Sequence, residues 1–328
     1  MATDPSTIET SYINQFKAGY EQAFQQTRSA LEPFVQSVRQ ASEFDFYDRV
    51  GVAEDMVENN TRYGDNPMTE IPHDRRRIGL RDFDIGKPID NKDLVRVATD
   101  PTNEYTQALL ASAQRKKDDI IIERIFGPAY TGKKGETVIN FTGTNSGKVT
   151  VGPISQGVLT TAGVVQIGAA NTEGIDIAKD YTGGAAADAG ITLAKLRAAR
   201  KTMMDLFSCT QDQVLDCFIG TYQFDQLLTI NEIINSDYAV RKALAEGSVT
   251  TFMGFRFIHA PRLKKTAGVR ECLIMTPRAF KLAVSQDINA TMWRLSAKKN
   301  IPYIYTSMGM DGTRMWGEAT VKLNCVEA

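Results

Sequence analysis

The sequence predicts an α+β fold, and three observations carry that prediction. Segment 101–126 has helix-start and helix-stop signals at its two ends. Several short runs between Thr137 and Cys325 alternate apolar and polar residues at the period of a strand. The elements follow one another without the regular strand–helix–strand rhythm that builds a parallel sheet.

The chain has 328 residues, of which 42% are hydrophobic and 23% charged, so it can bury one large or two ordinary cores. Lys and Arg number 38 against 39 Asp and Glu, a formal charge of −1. That balance supplies no uniform field for gripping nucleic acid or an anionic membrane. No run approaches the roughly 18 apolar residues of a membrane span, and the N-terminus has no basic head before an apolar stretch. The expectation is a protein made and used on the cytosolic side. Cys209, Cys217, Cys272 and Cys325 form no CxxC pair and stand at no zinc-ligand spacing, so they read as buried reduced thiols.

Taking the elements in order, Tyr12, Phe16, Tyr20, Phe24, Leu31, Val35 and Val38 fall near one helical stripe between residues 11 and 40. Pro33 should break this amphipathic arm near its end. Between Glu43 and Asp100 the composition turns to dispersed charge, Pro and Gly, with too few apolar residues for a core. A connection this long is uncommon inside a compact domain. Ile78 and Leu80 alternate with polar neighbours and Phe83 with Ile85 resumes one position out of step, as in a bulged strand. Such an arm or hairpin finds its burial on another chain.

In the next helix Asp100 is the N-cap candidate, Pro101 suits the first turn, and Gly127 with Pro128 stops it. Its band of Tyr105, Leu109, Ala113, Ile120, Ile121 and Ile125 faces a core, with Arg115 to Asp119 as a charged girdle. Strands are expected at Thr137–Phe141, Lys148–Val151 and Val164–Ile167. A second helix has Leu193, Leu196, Ala199, Met203 and Leu206 on one face. Beyond it lie a buried strand at Val214–Ile219, a short helix at Tyr222–Ile230, and strands at Thr250–Ile258 and Glu271–Met275. Thr276-Pro277 reads as a helix start, and the last 28 residues as a hairpin turning at Asp311-Gly312.

Catalytic patterns are weak. Gly143, Gly147 and Lys148 miss the phosphate-loop spacing, and Val149 stands where Ser or Thr is needed. The carboxylate pairs Asp82/Asp84, Asp118/Asp119 and Asp212/Asp216 lie in charge-balanced stretches where ion pairs or solvated faces are the ordinary explanation. His73 and His259 have no nucleophile pattern beside them. No catalytic, cofactor or metal residue is therefore assigned. The densest basic cluster, Arg75, Arg76 and Arg77 with Arg81, is flanked by Asp74, Asp82 and Asp84 and has no aromatic platform for single-stranded nucleic acid. Arginine pairs carboxylates bidentately across interfaces, so inter-subunit ion pairing is the favoured role.

The order of elements resembles the major capsid proteins of tailed double-stranded DNA phages, the Hong Kong-type phage capsid fold. The residues that carry the likeness are the amphipathic arm, the loop with Thr61-Arg62-Tyr63-Gly64-Asp65-Asn66-Pro67 and Pro72 to Arg77, and the spine from Asp100-Pro101 to Ile121. Further matches are Gly190 to Leu196, Gln223 to Leu228, and Gly254-Phe255. The resemblance implies an N-terminal arm (1–43), an extended loop (44–98), and a peripheral domain (99–190) with spine helix 101–126. A mainly axial domain (191–300) and C-terminal strands returning to the peripheral domain (301–328) complete it.

The implied function is structural, without catalysis: self-assembly into hexamers and pentamers of an icosahedral virion shell enclosing double-stranded DNA, formed in the host cytoplasm. Candidate inter-subunit contacts are Arg75, Arg76, Arg77 and Arg81 on the loop and Tyr12, Phe16, Tyr20 and Phe24 on the arm. About 40 residues precede the loop, so scaffolding is expected from a separate protein, with a portal and possible decoration protein as further partners. Lys87 lies in the loop, but nothing in the sequence shows that it crosslinks. A cellular nanocompartment shell of the same fold is the near alternative, and a soluble α+β enzyme using His259 or a carboxylate pair the distant one.

Overall fold

The computed structural model describes residues 25–53, 56, 58, 68, 70–89, 102–142, 146–151, 172–230 and 251–327. The first half contains β1 (Gln36–Arg39), β2 (Phe44–Val50), β3 (His73–Gly79), β4 (Asp82–Pro88), α1 (Thr102–Phe126), β5 (Ala129–Thr131), β6 (Thr137–Phe141) and β7 (Val149–Val151). Then come β8 (Thr172–Glu173), β9 (Ile175–Ile177), α2 (Leu193–Asp205), β10 (Leu215–Ile219), α3 (Thr221–Leu228), β11 (Thr251–Phe252) and β12 (Phe255–His259). The chain ends with β13 (Lys265–Thr266), β14 (Val269–Met275), β15 (Phe280–Leu295), β16 (Ile301–Arg314) and β17 (Thr320–Val326). The fold class is α+β, as expected.

Among the described residues the strands form three sheets. One runs β1-β15-β16-β4, a second β11-β12-β10-β14-β17-β9-β7 with β13 on β14, and a third β2-β3-β5-β6-β8. Strand β10 is buried at every residue between β12 and β14, so four of its five residues are apolar rather than alternating, and the one acid among them, Asp216, is paired with Arg256. Helix α1 lies between two cores. Ile121, Ile122 and Ile125 join Leu31, Phe218, Phe280 and Leu282, while Ala113 and Ile120 meet Met308 and Met310. Apolar residues therefore wrap this half of the helix, and the charged girdle between them needs tertiary partners. Helix α2 buries Leu196, Ala199 and Met203, and the Thr192 hydroxyl caps it by accepting from the Lys195 amide.

Several expectations are corrected. Over residues 25–40 the arm is not a helix: Pro33 sits in a single 3-10 turn, Glu32–Phe34, followed directly by β1 beside β15. The out-of-step alternation around Leu80 is not a bulge. The chain changes sheets there, β3 pairing with β2 and β5, and β4 with β16. Asp311-Gly312 is not a turn but the interior of β16, and β17 pairs β14 and β9 in a different sheet. Gly312 is small because Phe280 lies across it, where an added Cβ would come within 2.3 Å of the ring. Thr276-Pro277 opens a turn into the 16-residue strand β15, not a helix. The expected strand Thr250–Ile258 splits at Met253-Gly254, both at positive φ. Tyr12, Phe16, Tyr20, Phe24, Gly143, Val164–Ile167 and most of the 51–72 connection lie outside the described residues.

Candidate assembly surface

Three consecutive arginines in a strand cannot share a face, because successive side chains alternate across the pleat. In β3, Arg76 points inward and is fully buried, whereas Arg75 and Arg77 point outward. The Arg76 guanidinium donates to Glu173 at 2.5 Å, and Arg314 Nε donates to the other oxygen of the same carboxylate at 2.8 Å. Arg314 also caps the end of α1, donating to the carbonyls of Ile125 and Gly127 at 2.6 and 2.9 Å, where the helix presents unpaired acceptors. Arg49 of β2 bonds Asp74 at 2.5 and 2.8 Å and lies 5.0 Å from the Trp316 ring. Burial pushes the pKa values of Arg76 and Arg314 down, while the Glu173 charge opposes that shift. Nearby Glu318 has its carboxyl pKa raised by burial. This knot bolts the β2–β3 hairpin to the end of α1 and to β16, so in this structure Arg76 is an internal clamp and presents nothing to a neighbour.

The outward face of the hairpin is different. It carries Phe44, Phe46, Asp48 and Val50 opposite Gly79, Arg77, Arg75 and His73, and Phe44, Phe46 and Val50 are exposed. Arg75 pairs with Asp48 at 2.6 Å in open solvent, an arrangement of little energetic weight. The Arg77 guanidinium lies between the rings of Phe44 and Tyr130, at 5.1 and 5.0 Å, and has no ion pair among the described residues. It lines a cleft of about 200 Å³ together with Arg81, Arg124, Tyr130 and Asp311. Arg124 is held by both oxygens of Asp311, and Arg81 by Glu123 at 3.1 Å.

A second uncovered face belongs to the paired ends of β15 and β16. Ile304, Thr306 and Met308 are buried on one side of this ribbon, whereas Trp293, Tyr303 and Tyr305 gather on the other with ring centroids 5.3 to 6.3 Å apart. Tyr303 lies over Gly86 of β4, where any Cβ would collide with its hydroxyl.

The girdle of α1 finds its partners across the fold. Asp118 accepts from the Ser29 hydroxyl at 2.5 Å and from the amides of Ala30 and Leu31 at 3.1 and 3.2 Å. Lys117 reaches Glu32 and Asp287, and Asp119 is bound by Arg262. Arg115 bonds Gln25. Asp216 pairs with Arg256, and His259 meets the Thr221 hydroxyl at 3.0 Å. All four cysteines are buried free thiols. Among the described residues no cluster of His, Cys, Asp and Glu could hold a metal, and no helix is long and apolar enough to cross a membrane. Glu173, Arg314 and Trp293 were not singled out from sequence; no spacing rule links an acid to arginines 97 positions before it and 141 after it.

Known structures share this architecture nearly end to end. The capsid subunit of cyanophage P-SCSP1u is similar at 14% identity with a TM-score of 0.65, covering 98% of this chain and 95% of that one. The mature capsid of bacteriophage PhiM1 matches at 12% identity and TM-score 0.65, covering 95% and 92%. The capsid of Ralstonia phage GP4 matches at 10% identity and TM-score 0.62, covering 100% and 99%. No curated protein matches. The fold is thus that of viral capsid subunits. The chain belongs to the phage capsid protein family, whose model spans residues 8–327. Its role is structural, that of a major capsid protein, and the assignment favours a phage shell over a nanocompartment.

Proposed function

We propose that this chain assembles into hexamers and pentamers of an icosahedral shell around double-stranded DNA, which it contacts without sequence specificity. Shell formation would take place in the host cytoplasm with a separate scaffolding protein and a portal, and a decoration protein is a further candidate partner. The observation that carries the assembly reading is the outward face of the β2–β3 hairpin. There an arginine is fixed between two aromatic rings with no acid paired to it among the described residues, next to exposed Phe46 and Val50. A guanidinium already ordered loses little entropy when a carboxylate arrives, so Arg77 is suited to accept an acidic side chain from a neighbouring copy. Residues 54–70 carry five acidic side chains against Arg62, which makes that stretch of a second copy a fitting donor.

In this reading Arg75, Arg77 and Arg81 contribute to subunit contacts while Arg76 holds the hairpin that presents them. Tyr12, Phe16, Tyr20 and Phe24 cover apolar surface on a neighbour. The arm, loop, peripheral, axial and C-terminal divisions keep the boundaries expected from sequence, except that residues 280–295 go with the spine helix they pack against. Replacing Arg77 by Glu gives up two cation–π contacts of about 0.5–1 kcal/mol each, so it should lower the unfolding midpoint of the free subunit by only a few degrees while abolishing closed particles in electron micrographs. Normal shells from Arg77→Glu would overturn the contact, and nuclease-sensitive contents in intact shells would overturn genome enclosure.

A further inference from the structure

Lys195 stands in the first turn of α2, a position where the helix dipole favours anions. Its side chain is nonetheless fully buried. Among the described residues no carboxylate lies within ion-pair distance of its ammonium. What surrounds it is main-chain oxygen: the carbonyls of Lys179 and Ala189 at 2.7 Å, Asn324 at 2.8 Å and Gly190 at 2.9 Å. An ammonium has three N–H donors, so four acceptors are one more than directed hydrogen bonds can use. A shell of converging carbonyls around a single positive charge is the arrangement that replaces the hydration shell of a large monovalent cation.

The four carbonyls come from the loop before α2 and from β17. The other side chains around the ammonium are engaged elsewhere or are thiols. Asp180 accepts from Ser146 and from the Gly147 amide, Asp188 pairs with Lys179, and Cys272 and Cys325 are buried thiols. Burial itself pushes the Lys195 pKa down. A cleft of about 310 Å³ lined by Ser146, Lys179, Asp180, Val269 and Asn324 borders the cage, and two of these residues supply cage carbonyls.

We infer that Lys195 occupies a monovalent-cation site built from main-chain carbonyls, its tethered ammonium standing where a potassium or ammonium ion would bind. The charge pins the 179–190 loop and β17 to the start of α2. Removing the tether should leave a vacant cage that accepts a free ion of the right size.

The test compares thermal unfolding of the unassembled full chain in potassium, ammonium, lithium and choline chlorides at equal ionic strength. The wild type should unfold at one temperature in all four. Lys195→Ala should unfold several degrees lower in lithium or choline and recover at least half of that loss in potassium or ammonium. Lys195→Met, which fills much of the space without charge, should be destabilised and indifferent to the cation. Equal midpoints for Lys195→Ala in potassium and lithium would overturn the inference, as would a Lys195→Met protein as stable as wild type. Should Lys195→Ala fail to fold during expression, its refolding yield in potassium against lithium becomes the readout, and equal yields would count the same way.

Discussion

The buried knot at the base of the β2–β3 hairpin allows a quantitative test through Glu173→Gln. Glu173 is the acid shared by Arg76 and Arg314, both with no solvent exposure, and it lies 3.9 Å from Arg49. Removing one partner of a buried pair leaves an uncompensated charge and costs about 3–5 kcal/mol. The glutamine keeps the shape and an acceptor oxygen, so the loss reports charge rather than a cavity. In a chain of this size about 1 kcal/mol moves the midpoint by roughly 2 °C, so a fall of about 6–10 °C is expected. Asp48→Asn is the internal comparison. It breaks the Arg75 pair, whose side chains are 41% and 64% exposed, and should leave stability essentially unchanged. Urea unfolding of the free subunit measures both. Limited proteolysis should show earlier cleavage in the 44–79 hairpin of Glu173→Gln. A Glu173→Gln protein no less stable than Asp48→Asn would refute the view that this carboxylate anchors the hairpin.

Two further outcomes follow from the same geometry. Asp118→Ala removes the acceptor for the Ser29 hydroxyl and the Ala30 and Leu31 amides, so it should cost about 2–4 kcal/mol and expose residues 25–34 to protease, read by mass spectrometry of the early fragments. Glu327 is held at about 2, well below its ordinary 4.5, chiefly by the Arg270 hydrogen bond and also by Lys265 and Gln223. A depressed acid contributes stability that is present above pH 4.5 and lost as the pH falls towards 2; Glu327→Gln should flatten that limb of the stability profile, and an unchanged limb would contradict the assignment.

Helix α1 was legible from sequence because its apolar spacing and its Gly127-Pro128 stop are local properties, and the observed span begins one residue inside the expected one; the expected Asp100 cap lies outside the described residues. Helix α2 and strand β10 were legible for the same reason. What escaped was fixed by distant partners. Asp311-Gly312 has turn chemistry, yet Asp311 is taken by Arg124 of α1 and Gly312 by the ring of Phe280, so the chain runs straight through. Leu80 looks like a bulge because a sheet change and a bulge both shift the alternation by one residue. The arginine run was visible as a cluster, but its division into Arg76 inside and Arg75 and Arg77 outside required knowing that the segment is a strand. The knot itself joins residues far apart in the chain, and local pattern holds no trace of such a meeting.

Electron microscopy of the purified, concentrated full chain bears most directly on the central claim that this subunit completes its burial against identical neighbours. Closed shells of uniform diameter, with hexameric and pentameric clusters resolved on averaging, are the outcome required here. A population that stays monomeric at every concentration, with the hairpin face and the Trp293 face both freely exchanging amide hydrogens, would contradict it.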